Sequence, residues 1–327
     1  MGNLIITFIK GKNKKQKEFS LMSASLKTEL FLLTLLGALV VFLSIVSDVF
    51  FTANNLQTLT RQASIYGIIA IGMVVVITSA GIDLSVGAVT GFSGVVAALM
   101  MANGNSIVVS VAVALIAGTS IGLVNGILVH DGKVPPFIAT LGTMTVVRAI
   151  IMLLTNASMI SGLPTEFRSI AQMRILGIPF LFIVWVVIII ISWFMTNKMI
   201  FGRNVYAFGS NKEAARLSGI NIRKTTYGVY MFSALLCSVA GILLTSRLGN
   251  GVPTAGSGYE LDAIAAAVVG GASLDGGAGS VIGTVLGAMI MATLRQGGVL
   301  LGVNSFILEI IIGSLIVIAV LLDKLRK

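Results

Sequence analysis

The 327-residue chain offers little of the usual catalytic equipment: 12 acidic residues, one histidine and one cysteine. With His130 alone there is no Ser-His-Asp triad and no multi-His zinc site, and with Cys237 alone there is no disulfide framework and no Cys-based metal centre. The pattern G-x-x-x-x-G-K-[ST] is absent, so nothing cradles a nucleotide phosphate and the chain does not hydrolyse ATP by itself. No residue is assigned a catalytic, metal or cofactor-binding role. The remaining chemistry is that of polar groups set in apolar sequence. Asp83 stands in a Gly-flanked break, and an ionisable group inside a membrane segment is a functional candidate by default. It can line a solute path or cap the helix that follows. Asn125, Thr140, Thr143 and Gln296 are neutral candidates for the same path, each with interhelical bonding as the simpler role. Phe92 and Phe137 can gate a path or stack on a ring, or simply pack. Arg148 and Arg295 are expected to pair with acids such as Asp83, Asp262 or Asp275.

A second group lies in the longest polar run, RNVYAFGSNKEAARLSGINIRK from Arg203 to Lys224. Ser210 and Glu213 have capping-box spacing, and Gly219 supplies a left-handed stop. Between them, Asn211 to Ser218 reads as a short helix of about 12 Å, at 1.5 Å per residue. Lys212, Glu213 and Arg216 fall on one side, Ala214, Ala215 and Ser218 on the other. Such a helix either docks into a groove of another protein or merely fixes topology.

The elements that must position these residues follow from composition. The chain is 56% hydrophobic and 10% charged, with a mean hydropathy of +1.03, against about 25% charged in a soluble domain. Its solvent is therefore a lipid bilayer. The net charge of +10 sits in tails and loops, which argues against nucleic acid. The apolar run after Lys27 is of full spanning length, so the N-terminus is not expected to be a cleaved signal. Spans of about 20 residues are expected near 29–50, 63–80, 85–102, 107–129, 136–155, 177–197, 226–246, 260–272, 280–297 and 305–322. That makes an all-α polytopic protein of about ten helices, with nine or eleven also open. Residues 1–28 form a basic tail, 29–323 the membrane domain with a polar loop over about 198–226, and 324–327 the C-terminus. With both termini cytoplasmic, sixteen Lys and Arg lie inside and four outside, as the positive-inside rule requires. Gly118, Gly122 and Gly126, and likewise Gly279, Gly283 and Gly287, repeat every four residues for close helix packing. Packing within the chain is the first reading of both, and one face is expected to serve a dimer as well. A faint repeat relates GIDLSVGA (Gly81 to Ala88) to GASLDGGA (Gly271 to Ala278). Interrupted segments in corresponding positions point to a transport path.

EAARLSG, Glu213 to Gly219, resembles the EAA-x3-G motif of ATP-binding-cassette (ABC) importer permeases, although the later Leu-Pro of that motif is replaced by the run Ile222 to Tyr227. GIDLSVG (Gly81 to Gly87), PFIATLGT (Pro136 to Thr143) and PTAGSGYELDAIAAAVVGGASLDGGAGSVIGT (Pro253 to Thr284) resemble the ribose-type monosaccharide permeases, over roughly residues 30–325. The resemblance implies the membrane subunit of an ATP-driven monosaccharide importer in a bacterial inner membrane, with ribose the first candidate. It implies alternating access, and ATPase coupling through Ser210, Glu213, Ala214, Ala215, Arg216 and Gly219. ATP and Mg would belong to a partner ATPase, with no cofactor in this chain. The other implied partners are a second permease copy and a soluble extracytoplasmic sugar-binding protein. Rival expectations are an ion-coupled secondary transporter with Asp83 as carrier, a passive channel, and an ABC permease for branched-chain amino acids.

Overall fold

A computed structural model describes residues 27–325. The basic residues Lys10 to Lys17 of the expected tail, and Arg326 and Lys327, lie outside the described residues. Thirteen helices account for most of the described residues. They are α1 (Lys27–Val46), α2 (Ala53–Thr78), α3 (Val86–Ala102), α4 (Ile107–His130), α5 (Pro136–Thr155), α6 (Thr165–Ile170), α7 (Phe180–Asn197), α8 (Ile200–Ser210), α9 (Lys212–Leu217), α10 (Ile222–Leu248), α11 (Tyr259–Val269), α12 (Val281–Leu300) and α13 (Ser305–Leu325). Between α6 and α7 a small hairpin pairs β1 (Arg174–Ile175) with β2 (Ile178–Pro179). Each expected span has a helix. Six helices, α1, α2, α4, α5, α7 and α10, are long and apolar enough to cross a membrane unaided. The others complete the bundle as shorter or more polar pieces around two breaks.

The layering is set by which helices lipid can touch. In α2 and α10, 78% and 72% of the apolar window is buried, against 17–22% in α1, α4, α5 and α7. The central pair is also the less apolar, with hydropathies of 1.6 and 1.9 against 2.0–2.5 outside. Lipid tails reward apolar surface, whereas the interior must satisfy polar groups among protein partners. Thus Ser233, Ser238, Thr245 and Ser246 of α10 are all buried.

Small residues allow the central helices to touch. Gly118, Gly122 and Gly126 of α4 meet Ser238, Ala234 and Tyr227 of α10, and Ser93 of α3 donates to Ser238 at 3.0 Å beside them. Gly241 of α10 lies against the Thr90 carbonyl of α3. Gly283 and Gly287 of α12 meet Gly270 and Ala266 at the end of α11. Both glycine trios therefore pack against neighbours inside the chain, which was the first reading of both. Gly279 also precedes α12 rather than sharing its face, and packs on Thr78.

The connections on one side of the bundle are joined to each other. Ile160 and Gly251 exchange two backbone hydrogen bonds of 2.9 Å. Arg295 of α12 pairs with Asp262 of α11 at 2.7 Å, as the sequence suggested. Arg148 instead donates to the Ala255 carbonyl at 2.7 Å, so it holds the loop after α10 rather than an aspartate.

A Cβ on Gly241 would collide with α3 backbone. Gly241→Val is expected to lower the thermal unfolding midpoint of the purified protein, with about 1–3 kcal/mol lost. Gly142→Ala, where nothing lies within 4 Å, should leave the midpoint unchanged or slightly raised.

Candidate functional site

The two breaks and the polar run meet at one end of the bundle. The first break covers Ser79 to Ser85, between α2 and α3; the second covers Gly270 to Ser280, between α11 and α12. Two residues beyond α2, Ala80 sits at φ 59, a left-handed turn costing about 1–2 kcal/mol for a residue with a Cβ. The Gly81 amide then bonds back to the Val76 carbonyl at 3.0 Å. The surroundings hold this turn in place. The Gly277 amide donates to the Thr78 carbonyl at 2.8 Å, and Gly276 packs on Ala80. Gly209, near the end of α8, lies against the same Thr78 carbonyl and against the Gly277 nitrogen. Tyr206 of α8 donates to the Gly279 carbonyl at 2.6 Å. Three backbones, from α2, α8 and the second break, thus share one point that only glycine allows. The related stretches Gly81 to Ala88 and Gly271 to Ala278 belong to the two breaks that come together here.

α8 and α9 form an arm from this point. Gly202, Val205 and Gly209 are the buried stripe of α8, at spacings of three and four residues. The short helix begins differently from the capping-box expectation. Ser210 still belongs to α8, and Asn211 is the cap, accepting from the Ala214 amide at 2.9 Å. Glu213 pairs with Arg216 at 3.1 Å, both side chains about two-thirds exposed, instead of reaching back to Ser210. Gly219 at φ 81 ends the turn as expected. Ala215 is buried against the body and so anchors α9. Glu213, Ala214, Leu217 and Ser218 are exposed, with Leu217 81% accessible. Six residues are too few to hold a helix alone; the cap and the buried Ala215 hold this one.

Three of the six path candidates converge on the first break. Asp83 is buried, and its Oδ1 accepts from the Ser85 amide at 2.9 Å and the Ser85 hydroxyl at 2.6 Å. Its Oδ2 faces the Ser233 hydroxyl of α10 at 3.5 Å. Asp83 therefore closes a turn ahead of α3 rather than capping it, since Ser85 occupies the cap position. Asn125 of α4 donates to Ser85 Oγ at 2.9 Å. Thr140 of α5 accepts from the Leu84 amide at 3.1 Å, with the Ile82 carbonyl 3.1 Å from its hydroxyl. No cation pairs with Asp83 among the described residues. This knot satisfies the irregular backbone of the break and joins α3, α4, α5 and α10. Its members Ser85 and Ser233 escaped the sequence reading; Ser85 was within reach, in the same GIDLS stretch, whereas Ser233 becomes a partner only through the fold.

The other candidates lie elsewhere. Phe92 packs among Val95, Val147 and Ile151. Thr143 borders an apolar groove between α4 and α5, with Gly142 and Val146. Gln296 donates to Asn55 at 2.6 Å, next to the Arg295–Asp262 pair. Between the arm and the first break is a cavity of about 570 Å3, walled by Ser79 to Gly81, by the α4–α5 connection around Lys133, by Phe208 to Lys212, and by Thr226 and Tyr230. At its border Tyr227 donates to Asp131 and Arg223 lies 3.2 Å from the same carboxylate. These two contacts hold the Asp131 carboxyl below the usual range.

Asp83→Asn keeps the Oδ1 acceptor for Ser85 and should retain near-normal thermal stability. Asp83→Ala leaves the Ser85 amide and hydroxyl without their partner, and a loss of about 1–3 kcal/mol is expected, read as a lowered unfolding midpoint.

The description "Branched-chain amino acid transport system / permease component" belongs to the family model that matches residues 55–320. That span runs from the head of α2 through both breaks and the arm into α13. The ribose import permease protein RbsC of Bacillus subtilis (strain 168) is 44% identical, over 88% of this chain and 90% of its own length. RbsC of Escherichia coli (strain K12) is 42% identical, over 89% and 92%. The D-allose transport system permease protein AlsC of the same strain is 36% identical, over 87% and 88%. No solved structure matches the chain. An interrupted-helix core matched from end to end, and relatives aligned over about nine-tenths of their length, place this multi-pass membrane protein in the family of branched-chain amino acid transport system permease components, alongside the ribose import permeases.

Proposed function

We propose that the chain is the membrane subunit of an ATP-driven monosaccharide importer, with ribose as the substrate. The likeness to ribose import permeases supports the sugar. The observation that carries the energy source is the arm: a mostly exposed short helix, anchored by Ala215 and continuous with a backbone contact to both breaks. A partner gripping Glu213, Ala214, Arg216 and Leu217 pulls on the interrupted segments directly. That partner is an ATPase holding ATP and Mg. The excess of Lys and Arg in one set of loops supports placing the arm and both termini in the cytoplasm of a bacterial cell, with the permease in the inner membrane. A soluble sugar-binding protein delivers the sugar to the opposite side, and two copies of the permease form the translocating pair.

In this mechanism the chain contributes no bond chemistry. ATP binding draws the paired ATPases together, and they bind the two permease states with different affinity. That difference shifts the population between inward and outward access. The junction at Thr78, Gly209 and Gly277 carries the displacement to both breaks, where a helix end can tilt without breaking a continuous helix.

The test is sugar uptake into vesicles bearing the permease with its ATPase and binding protein. Uptake should need ATP inside the ATPase-bearing compartment and cease without the ATPase. Glu213→Arg should lower uptake about tenfold, the effect of about 1.4 kcal/mol at the docking contact, while the permease alone keeps its unfolding midpoint. Uptake by the chain alone, driven by a proton or sodium gradient, would contradict the proposal. Selective uptake of branched-chain amino acids would contradict the sugar assignment.

A further inference from the structure

The face opposite the arm carries unbalanced charge. α2 runs from this face to the junction at Thr78, and α10 returns to it from the arm. Arg61 lies near the start of α2 and Arg247 in the last turn of α10. Two connections bring further arginines to them. Ser246 of α10 donates to the Phe167 carbonyl at 2.6 Å and accepts from the Ala171 amide at 3.1 Å. These bonds tie α6 to the end of α10, and the stem of Arg168 packs on Gly249. The β1–β2 hairpin borders the same groove as Leu59 and Ala63 of α2. Arg174 of β1, together with Arg247, stands near enough to Arg61 to repel its charge. None of the four arginines forms an ion pair among the described residues, and the exposed Glu166 of α6 pairs with none of them.

A second observation is independent of charge. Leu176 and Gly177 close the hairpin with φ of 53 and 83. A two-residue turn with both φ positive favours Asn-Gly, and a leucine in the first place is strained. Leu176 is 97% exposed, so no contact within the chain offsets that strain. Met173, Ile175 and Ile178 beside it are exposed as well. Apolar side chains next to arginines have the composition of a protein-contact surface.

The setting favours a soluble partner over lipid or cargo. α2 and α10 are the central helices, with 78% and 72% of their apolar windows buried. Arg61 and Arg247 therefore lie over the middle of the bundle rather than at its rim. A monosaccharide carries no charge to balance four guanidinium groups.

We infer that this face docks an acidic patch of a soluble protein, with Arg61, Arg168, Arg174 and Arg247 meeting its carboxylates and Leu176 entering an apolar recess. The planar guanidinium fork matches a carboxylate bidentately, and a cluster of one sign steers an oppositely charged partner toward the face. The inference deepens the reading of a soluble protein that delivers the sugar, and rests on it.

The probe is the sugar-binding protein that supports uptake in the vesicle assay. Its affinity for the full chain in nanodiscs of zwitterionic lipid is measured by biolayer interferometry over a range of salt concentrations. Saturable binding that weakens as salt rises is expected. Arg168→Glu combined with Arg174→Glu should weaken it about tenfold and flatten the salt dependence, while Arg174→Lys retains most of it. Leu176→Asn suits the turn, so it should keep or raise the unfolding midpoint while weakening binding about tenfold. A purely structural role for Leu176 predicts a lower midpoint with binding intact. The inference is overturned if either the charge reversals or Leu176→Asn leaves the affinity unchanged while uptake still requires the binding protein. It is overturned in favour of lipid headgroups if the variants change only the midpoint in nanodiscs containing phosphatidylglycerol. Uptake that requires no soluble protein would overturn the underlying reading, and the inference with it.

Discussion

The point where Thr78, Gly209 and Gly277 meet governs how this chain can move. A carbonyl at the end of one helix accepts an amide from a distant break, and the backbone of a third segment presses on both. A side chain at Gly209 would push the three apart. An interior packed to crystal-like density transmits such a displacement rather than absorbing it. The arm, the first break and the second break therefore act as one mechanical unit.

This arrangement is possible because the first break lies largely inside the protein, while the second, partly exposed, is bonded to the end of α2. Irregular backbone in a bilayer must find its hydrogen bonds internally. The first break finds them through Asp83, Ser85, Asn125 and Thr140, and the second through Thr78, Ser273 and Tyr206. The same need explains why the central helices α2 and α10 are the less apolar ones. The apolar helices α1, α4, α5 and α7 form the rim, where most of their apolar surface is left uncovered by the chain.

Much of this was legible in the sequence. Long apolar runs marked most spans, the short segment 260–272 marked a weaker one, and the polar run from Arg203 to Lys224 marked the arm. Interior and rim helices were harder to separate, because a bilayer accepts apolar surface as readily as a protein core does. The glycine trios announced close packing correctly, but four-residue spacing does not say which helix comes close. α10 had already taken Gly118, Gly122 and Gly126. The cap was missed for a local reason: Ser210 and Asn211 are adjacent and both competent, and α8 runs on far enough to absorb Ser210. Asp83 was visible as an unusual acid. Its partner Ser85 was within reach in the same stretch, but Ser233 was not, since it lies 150 residues away and only the packing of α10 brings it near. The candidates Phe92, Thr143 and Gln296 were chosen by residue type and by lying in or near a span, and the fold sends them to three different places.

The number of sugars moved per ATP hydrolysed by the reconstituted complex carrying Gly209→Ala tests the mechanical unit most directly. If the arm drives the breaks through this junction, hydrolysis persists while the ratio falls well below that of the unaltered complex, and Gly142→Ala leaves it intact. An unchanged ratio in Gly209→Ala would mean that the force reaches the breaks by another route.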